Sequence, residues 1–361
     1  MIIQAEPLRR LVGEIFEASG CSPEEGARIA RYLVEADLGG HDSHGVIRVP
    51  RYLNALREGK VVPDQTITKV IENDVMAVVD GNFGFGQTVG PQAVRLGVDK
   101  AAKHGVSVIA LRNSGHLGRI ADCAEMAASA GRISIHFVNV SGSLLVAPFG
   151  GVERRMSTCP VAIGVPMEGG PPLILDFATS VVAEGKVLVA ASGGKPLPAG
   201  SLIDADGTLS NDPGVLYGDA DATQSVNFRS GTGALRAMGE HKGSGLALMC
   251  EILAGGLTGS GCAGPGERPL ANGMLSIYMA VDFFDSDGFF AAEIGQYLDF
   301  FKSAKPAAPD GEVLVPGEPE RRLRETRLAE GIPLPDGAWQ AILGAARDVG
   351  VSRQRMDAAP G

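Results

Sequence analysis

The chain has 361 residues, of which 45% are hydrophobic and 20% are charged, and its formal net charge is −10. This length and composition predict about two domains with apolar cores, and the acidic balance argues against nucleic acids and anionic membranes as partners. The five cysteines include no CxxC pair, so we expect reduced cytoplasmic thiols rather than a disulfide framework or a zinc knuckle. Neither a signal peptide nor a membrane span is expected, because no suitable apolar run occurs.

The N-terminal part of the chain is predicted to be mostly helical. Apolar residues recur at helical spacing over residues 8–16. A second helix is expected from Pro23, in a capping box with proline at the first helical position, to the glycines at 39–40. A third helix is expected from about Ser43 to Glu58, and Pro50 within it implies a late start or a kink.

Further along the chain, predicted strands alternate with predicted helices. The strands are expected at 75–80, 106–111, 133–139, 161–166, 173–177, 274–282 and 313–315. The helices are expected at 87–104, 180–192, 242–257, 289–301 and 336–349. One more helix is expected to follow the loop at 113–116 and to end at about residue 130. Because this is not a uniform βαβ series, we predict a mixed α/β sheet beside a helical N-terminal part. The glycines at 81, 84 and 86 have the wrong spacing for a standard Rossmann unit.

The strongest local motif is His41-Asp42-Ser43-His44-Gly45-Val46-Ile47-Arg48. On a helix, His44 and Arg48 would share one face, because they are four residues apart. Arginine can hold the carboxylate of a 2-oxo acid in a bidentate fork. Histidine can exchange a proton with the atom at C2 near neutral pH, and Ser43 could relay that proton. A surface histidine on a helix capped by Ser43 explains the pattern equally well.

Three further loops each precede a predicted helix. Residues 113–119 contain His116 and end at Arg119, and a helix N-terminus there would bind phosphate. Residues 176–180 offer hydroxyls for phosphate or ribose. Lys242 could bind a phosphate or a carboxylate, although the residues around it do not follow the P-loop sequence. Ordinary capped loops and a solvated lysine are the alternatives.

Metal ligation is the rival chemistry for the histidines. The residues that could build such a site are His41, Asp42, His44, His116, His136 and His241. They form no HExxH motif and no compact triad in the sequence, so we expect no metal.

Taken together, these motifs resemble the type-2 malate/L-lactate dehydrogenase family, and the similarity runs along nearly the whole chain. The resemblance implies a non-Rossmann, three-layer α/β/α fold with a mixed sheet, NAD(P)H as cofactor and a homodimer. It assigns Ser43 as relay and His44 as proton donor, with Arg48 and Thr158 binding the substrate. The cofactor contacts it implies are His116, Leu117, Gly118, Arg119, Ile120, Asp176, Phe177, Ala178, His241, Gly317, Glu318, Pro319, Glu320, Arg321, Arg322 and Leu323.

The expected function is hydride transfer between NAD(P)H and C2 of a small 2-oxo acid or a cyclic 2-imino acid. A metal-dependent hydrolase and a non-catalytic binding protein are the alternatives. Arg119 and the pair at 321–322 would suit a 2′-phosphate, which favours NADP over NAD. Cys159 stands where the family commonly has asparagine, which makes the detailed shape of the substrate pocket uncertain.

Three parts of the chain are expected. Residues 1–72 would form the helical domain that carries the motif around His44, and residues 73–310 the mixed α/β domain for cofactor and substrate. Residues 311–361 would return to the cofactor site and to the N-terminal helices.

Overall fold

The computed structural model describes residues 1–191, 195–218, 230–266 and 268–357. The α-helices are α1 Ala5–Ala18, α2 Pro23–Leu38, α3 Val49–Arg57, α4 Gly86–His104, α5 Ala121–Ser129, α6 Glu184–Ala191, α7 Gly214–Tyr217, α8 His241–Cys250, α9 Phe289–Lys302, α10 Glu318–Glu330, α11 Asp336–Asp348 and α12 Arg353–Asp357. The strands are β1 Ile2–Ile3, β2 Thr68–Glu72, β3 Met76–Asp80, β4 Val106–Ser114, β5 Arg132–Val140, β6 Val146–Ala147, β7 Val161–Val165, β8 Leu173–Phe177, β9 Leu202–Ile203, β10 Leu209–Ser210, β11 Ala234–Arg236, β12 Asn272–Ala280 and β13 Ile332–Pro333.

The two ends of the chain share one apolar core. The buried faces of α1 and α2 pack together, with Leu8 and Phe16 fully buried between them. Trp339 and Ile342 of α11 belong to the same core, and β1 pairs antiparallel with β13. The N-terminal helices therefore depend on C-terminal residues for part of their packing. Within the described ranges, none of the helices combines the length and the apolar character that a bilayer span requires.

The predicted helix from Ser43 to Glu58 is wrong over its first part. Two 3-10 turns, Asp42–His44 and Val46–Arg48, come first, and Gly45 between them is extended. The carboxylate of Asp37 accepts a hydrogen bond from the Val46 N–H at 2.9 Å, which fixes the chain in this shape. The α-helix α3 starts only at residue 49, with proline in its first turn, so the late start is confirmed.

The predicted mixed sheet is confirmed, with seven strands in the order β2-β3-β4-β12-β5-β7-β8. β3 and β4 run parallel, and the other neighbouring pairs are antiparallel. Successive side chains of a strand point to opposite faces, so Ala162 joins the core under α4 and α5 while Val161 joins the core of α8. The sheet is therefore the middle of three layers. A smaller sheet, β10-β9-β11-β6, lies beside it.

Several boundaries differ from the sequence predictions. Residues 313–315 form no strand, because the Val315 N–H donates to the carboxylate of Glu318 at 3.2 Å instead of to a neighbouring strand. The helix expected over 180–192 begins at residue 184, and residue 192 lies outside the described residues. The helix expected over 242–257 changes to a π-helix at residue 251. α10 was not predicted, because its charged sequence has no apolar stripe.

Candidate active site

The segment of residues 41–48, here called the catalytic turn, brings its serine and histidine into contact. Ser43 Oγ lies 3.0 Å from His44 Nδ1, and both residues are half-buried. Gly185 of α6 packs directly on Ser43, and a Cβ at Gly185 would overlap the serine side chain. Behind the turn, a Cβ at Gly45 would overlap the carboxylate of Asp37. The turn is thus held by close contacts that only glycine permits.

Arg48 lies beside this pair, although not on a shared helix face as predicted. Its Nε donates to the Ser43 carbonyl oxygen at 2.6 Å, which ties the two 3-10 turns together. Its terminal nitrogens, Nη1 and Nη2, find no acceptor among the described residues. A half-buried guanidinium with its terminal N–H groups open can bind a carboxylate in a bidentate fork.

A second histidine comes from the other side of the site. The segment of residues 113–119, here called the His116 loop, begins at the end of β4. It places the ring of His116 almost parallel to that of His44, at 11° and a centroid distance of 5.5 Å. Tyr52 Oη lies 2.7 Å from His116 Nδ1, and Gln87 Nε2 donates to Tyr52 Oη at 3.1 Å. The motifs around residues 44 and 116, far apart in sequence, therefore meet.

The electrostatic environment keeps these imidazoles neutral at neutral pH. Loss of hydration, the Arg48 charge and then His41 lower the pKa of His44 from 6.5 to about 3. Burial, followed by Arg48, also holds the pKa of His116 well below its usual range. Because positive charge contributes to both shifts, an anionic ligand at Arg48 would offset part of them.

Cys159 packs in the apolar core that also contains residues of α6 and α8, and Thr158 precedes it in the chain. The Thr158 carbonyl oxygen accepts from both the N–H and the hydroxyl of Thr179, each at 2.9 Å. Cys159 is fully buried, with Sγ 3.1 Å from Ser157 Oγ and 3.3 Å from Glu251 Oε1. Its thiol therefore faces an internal polar cluster.

At the start of α5, where the sequence predicts a phosphate contact, the helix N-terminus already has a partner within the protein. Asp176 Oδ2 accepts from the Ala121 N–H at 2.8 Å and so occupies that helix N-terminus. Arg119 is buried and pairs with Asp122 at 2.6 Å and with Glu125 at 2.9 Å, which neutralises the charge that a phosphate would need.

The residues between β8 and α6 also differ from the prediction. Thr179 and Ser180 do not cap a helix, since the hydroxyl of Thr179 binds the Thr158 carbonyl and that of Ser180 binds the Val182 carbonyl at 2.8 Å. Phe177 and Ala178, just before them, are half-buried.

The remaining predicted residues in and directly after the His116 loop fall into two groups. Leu117 and Ile120 are buried in the apolar core of the sheet and so anchor the loop. Gly118 is half-buried, has a φ of +80° and lies against the Gln87 side chain. The Leu117 N–H donates to Asn272 Oδ1 at 2.9 Å, which fixes the loop to β12.

The C-terminal segment reaches the catalytic turn through the start of α10. Glu320 Oε1 lies 3.9 Å from His41 Nε2, and Leu323 covers Gly40. Arg327, further along the helix, pairs with Asp42.

The residues around Glu320 are engaged within the chain. Gly317 is the left-handed cap of α10 and Pro319 lies in its first turn. Arg322 pairs with Glu312 and with Glu318, and Glu318 also binds Lys302. Arg321 donates to the Pro172 carbonyl at 3.3 Å. The arginines that favoured NADP in the sequence therefore already have partners in the protein.

His241, at the start of α8, is exposed and makes an edge contact with Phe149 at 6.0 Å. The structure gives it no contact with His44 or His116. Among the residues that the structure describes, no group of three or more histidine, cysteine, aspartate or glutamate side chains is arranged to hold a metal ion.

Sequence reasoning missed four residues that build the site. Asp37 orders the catalytic turn, Asn272 holds the His116 loop, and Tyr52 and Gln87 bind His116 itself. Only Tyr52 left a signal in the sequence, because it follows the motif by one helical turn.

Comparison with known proteins places the chain among dehydrogenases. The family model described as malate/L-lactate dehydrogenase matches residues 3–343. Hydroxycarboxylate dehydrogenase B of Escherichia coli K12 is 36% identical over 357 residues, which cover 98% of this chain and 96% of the relative. Malate dehydrogenase of Pyrococcus horikoshii superposes with a TM-score of 0.84 at 29% identity, covering 98% and 96% of the two chains. The Δ1-piperideine-2-carboxylate reductase of Pseudomonas syringae superposes with a TM-score of 0.77 at 29% identity, covering 96% and 100%.

Proposed function

Because the chain belongs to the malate/L-lactate dehydrogenase family and is an oxidoreductase, we propose that it transfers hydride between NAD(P)H and C2 of a small 2-oxo acid or a cyclic 2-imino acid. The observation that carries the proposal is the grouping of Ser43, His44 and Arg48 beside His116. The family relationship favours this chemistry over metal-dependent hydrolysis. Both substrate types have support, since one relative is a hydroxycarboxylate dehydrogenase and another is a piperideine-carboxylate reductase.

Arg48 would bind the carboxylate that all these substrates share. Its Nε is held by the Ser43 carbonyl, so the orientation of the guanidinium plane is set before the substrate arrives. The two terminal nitrogens then define where the carboxylate sits and, with it, where C2 lies relative to His44. Such orientation supplies much of the rate enhancement in reactions of this kind.

His44 would exchange the proton at the oxygen or nitrogen on C2. In the free protein its pKa of about 3 leaves it neutral, which is the form that accepts a proton from a 2-hydroxy acid. In the direction of reduction, the substrate carboxylate would offset the Arg48 charge and raise the pKa of His44, so that the imidazole can be protonated and donate. Ser43 Oγ on His44 Nδ1 would orient the ring and relay the proton.

The donor set beside the catalytic turn fits the nicotinamide end of a dinucleotide. His116 and Gly118 are half-buried on the loop whose histidine stacks against His44, so they would hold the cofactor. The chain offers less for a 2′-phosphate, because Arg119 and Arg322 are neutralised by carboxylates. Of the three arginines that favoured NADP, Arg321 alone is paired with a neutral carbonyl rather than a carboxylate, so both cofactors should be assayed.

The homodimer expected from the family has one supporting feature. α9 exposes a row of aromatic side chains, with Phe289 68%, Tyr297 60% and Phe300 74% accessible. Burying such a row against a second copy would remove a large apolar surface from water. Light scattering should give the mass of a dimer, and Phe300→Glu should shift it toward the monomer; a wild-type monomer would contradict the proposal.

The test of the reaction is substitution of His44. His44→Gln should lower kcat by about 10²- to 10⁴-fold with NADH or NADPH and a panel of 2-oxo and cyclic imino acids, because the proton donor is lost. The dissociation constant of the reduced cofactor, followed by its fluorescence, should stay unchanged. In the oxidation direction, the wild-type acid limb should lie below pH 6.5, the ordinary value for histidine, because the pKa of His44 is lowered.

His104→Gln is the matched control, since His104 is exposed at the end of α4. Near-normal turnover of His44→Gln across the pH range would refute the role of His44. No change in nicotinamide absorbance with any acid of the panel would instead favour a binding protein that keeps the fold.

A further inference from the structure

A chain of three side chains ends at the ring of His116. Gln87 on α4 and Tyr52 on α3 are both buried, at 2% and 6% exposure. Gln87 Nε2 lies 3.1 Å from Tyr52 Oη, which lies 2.7 Å from His116 Nδ1. These contacts are enough to locate the hydrogens of the three hydrogen-bonded side chains.

The orientation of the Gln87 amide is fixed by a backbone group. The same nitrogen that meets Tyr52 also lies 3.3 Å from the carbonyl oxygen of His116. A carbonyl only accepts hydrogen bonds, so the amide must present its NH₂ group there. Gln87 Oε1 points the other way, where it is buried without a partner among the described residues. Gln87 therefore donates to the oxygen of Tyr52.

The hydrogen of Tyr52 then has one destination. Its oxygen already accepts from Gln87, and among the described residues its only other partner is His116 Nδ1. If Nδ1 carried the proton, two donors would meet the same oxygen and the Tyr52 hydrogen would be left without an acceptor in a buried place, which is costly. The tyrosine thus donates to Nδ1, and a neutral ring must carry its proton on Nε2.

We propose that Tyr52 and Gln87 are positioning residues that fix His116 as the neutral Nε2–H tautomer, so that His116 offers a permanent hydrogen-bond donor to a carbonyl oxygen bound in the site. Two carbonyl oxygens are available in the reaction, the keto oxygen of an open-chain substrate and the carboxamide oxygen of the cofactor. The identity of the ligand rests on the proposed function, whereas the tautomer does not. His116 and His44 then divide the work, one donating a fixed hydrogen bond and the other exchanging a proton.

The direct test is NMR of the full-length protein labelled with ¹⁵N-histidine. The chain has six histidines, and His116→Gln assigns the signals of His116. Near neutral pH, the wild-type ring should show a protonated Nε2 and an unprotonated, hydrogen-bonded Nδ1. Tyr52→Phe should introduce a population protonated at Nδ1, and Gln87→Leu should do so to a smaller extent.

Tyr278→Phe is the matched control, because it removes a buried tyrosine hydroxyl next to a different histidine, His136. A wild-type His116 protonated at Nδ1 would overturn the proposal without any variant. An unchanged tautomer in folded Tyr52→Phe would overturn it as well.

Kinetics separate the two oxygens. Tyr52→Phe should raise one Michaelis constant by about tenfold, the cost of weakening one hydrogen bond. An increase confined to the 2-oxo acid assigns the donor to the keto oxygen, and an increase confined to NAD(P)H assigns it to the carboxamide. Unchanged constants for both would refute the donor role. If no acid is reduced at all, the proposed function fails, but the NMR result still decides the tautomer.

Discussion

The two sides of the site are held in place by different physical means. The catalytic turn stands on the helical core that joins both ends of the chain, and it is held by close packing at Gly45 and Gly185. The His116 loop stands on the sheet, and it is held by side-chain amides, with Asn272 on its backbone and Gln87 on its carbonyl. The catalytic turn therefore depends on close packing that leaves no room for a Cβ at two glycines. The His116 loop depends on hydrogen bonds from side-chain amides.

This contrast extends beneath the surface of each side. The helical core behind the catalytic turn is built mainly of apolar side chains, whereas the sheet carries fully buried polar groups such as His136, Ser134 and Ser276. A defect in packing should thus disturb the catalytic turn most. A change in protonation should disturb the sheet that carries the His116 loop.

The largest effect is expected from Gly45→Ala, which breaks the packing of the catalytic turn. The new methyl group would overlap the carboxylate of Asp37, which is buried and bonded to the Val46 N–H. Forcing the two apart should cost about 3 kcal/mol of unfolding free energy and abolish measurable turnover. Urea denaturation and the hydride-transfer assay measure the two effects.

Gly344→Ala is the control for this prediction. Gly344 lies within α11, and a Cβ there would meet nothing within 4 Å. Alanine should therefore raise the unfolding free energy by about 0.5–1 kcal/mol, because it restricts the unfolded chain and favours helix. If Gly45→Ala behaved like this control, the turn would not be held by packing.

The fold could be predicted well from the sequence where one local rule decided each element. Pro23 and Gly39 mark the ends of α2, and every strand of the large sheet except β2 was predicted. The catalytic turn was misread because its shape depends on Asp37, a contact made across nine residues that no periodicity reveals. α10 was missed because ion pairs such as Arg324 with Glu35 fasten it to α2 across the chain.

The candidate site could be predicted only in part for the same reason. Motifs around Ser43 and His116 are visible because they stand at the ends of elements, where reactive side chains gather. Their approach to each other is a property of the tertiary fold, and so are the roles of Tyr52 and Gln87. Arg119 was expected to bind phosphate, yet its partner Asp122 stands one helical turn away in the sequence. That pair could have been recognised from its spacing.

A smaller effect, a loss of folding stability on acidification, is expected from the polar groups buried in the sheet. His136 is fully buried between the hydroxyls of Ser134 and Ser276, and burial lowers its pKa from 6.5 to about 3. Between these two values the unfolded chain binds one more proton than the folded chain. The contribution of neutral His136 to the unfolding free energy is therefore complete above pH 6.5. It is lost as the pH falls toward 3, at about 1.4 kcal/mol per pH unit.

His136→Gln removes the imidazole that takes up this proton, while the glutamine amide can still hydrogen-bond to both serines. The unfolding free energy of the variant, measured in urea at a series of acidic pH values, should fall with a slope smaller by about one proton than that of the wild type. His44 and His116 add to the slope of both proteins, so the difference isolates the sheet. His104→Gln, at an exposed position, should leave the slope unchanged. Equal slopes for His136→Gln and the wild type would mean that His136 is already charged in the folded protein, and the acid sensitivity would then belong to the catalytic side.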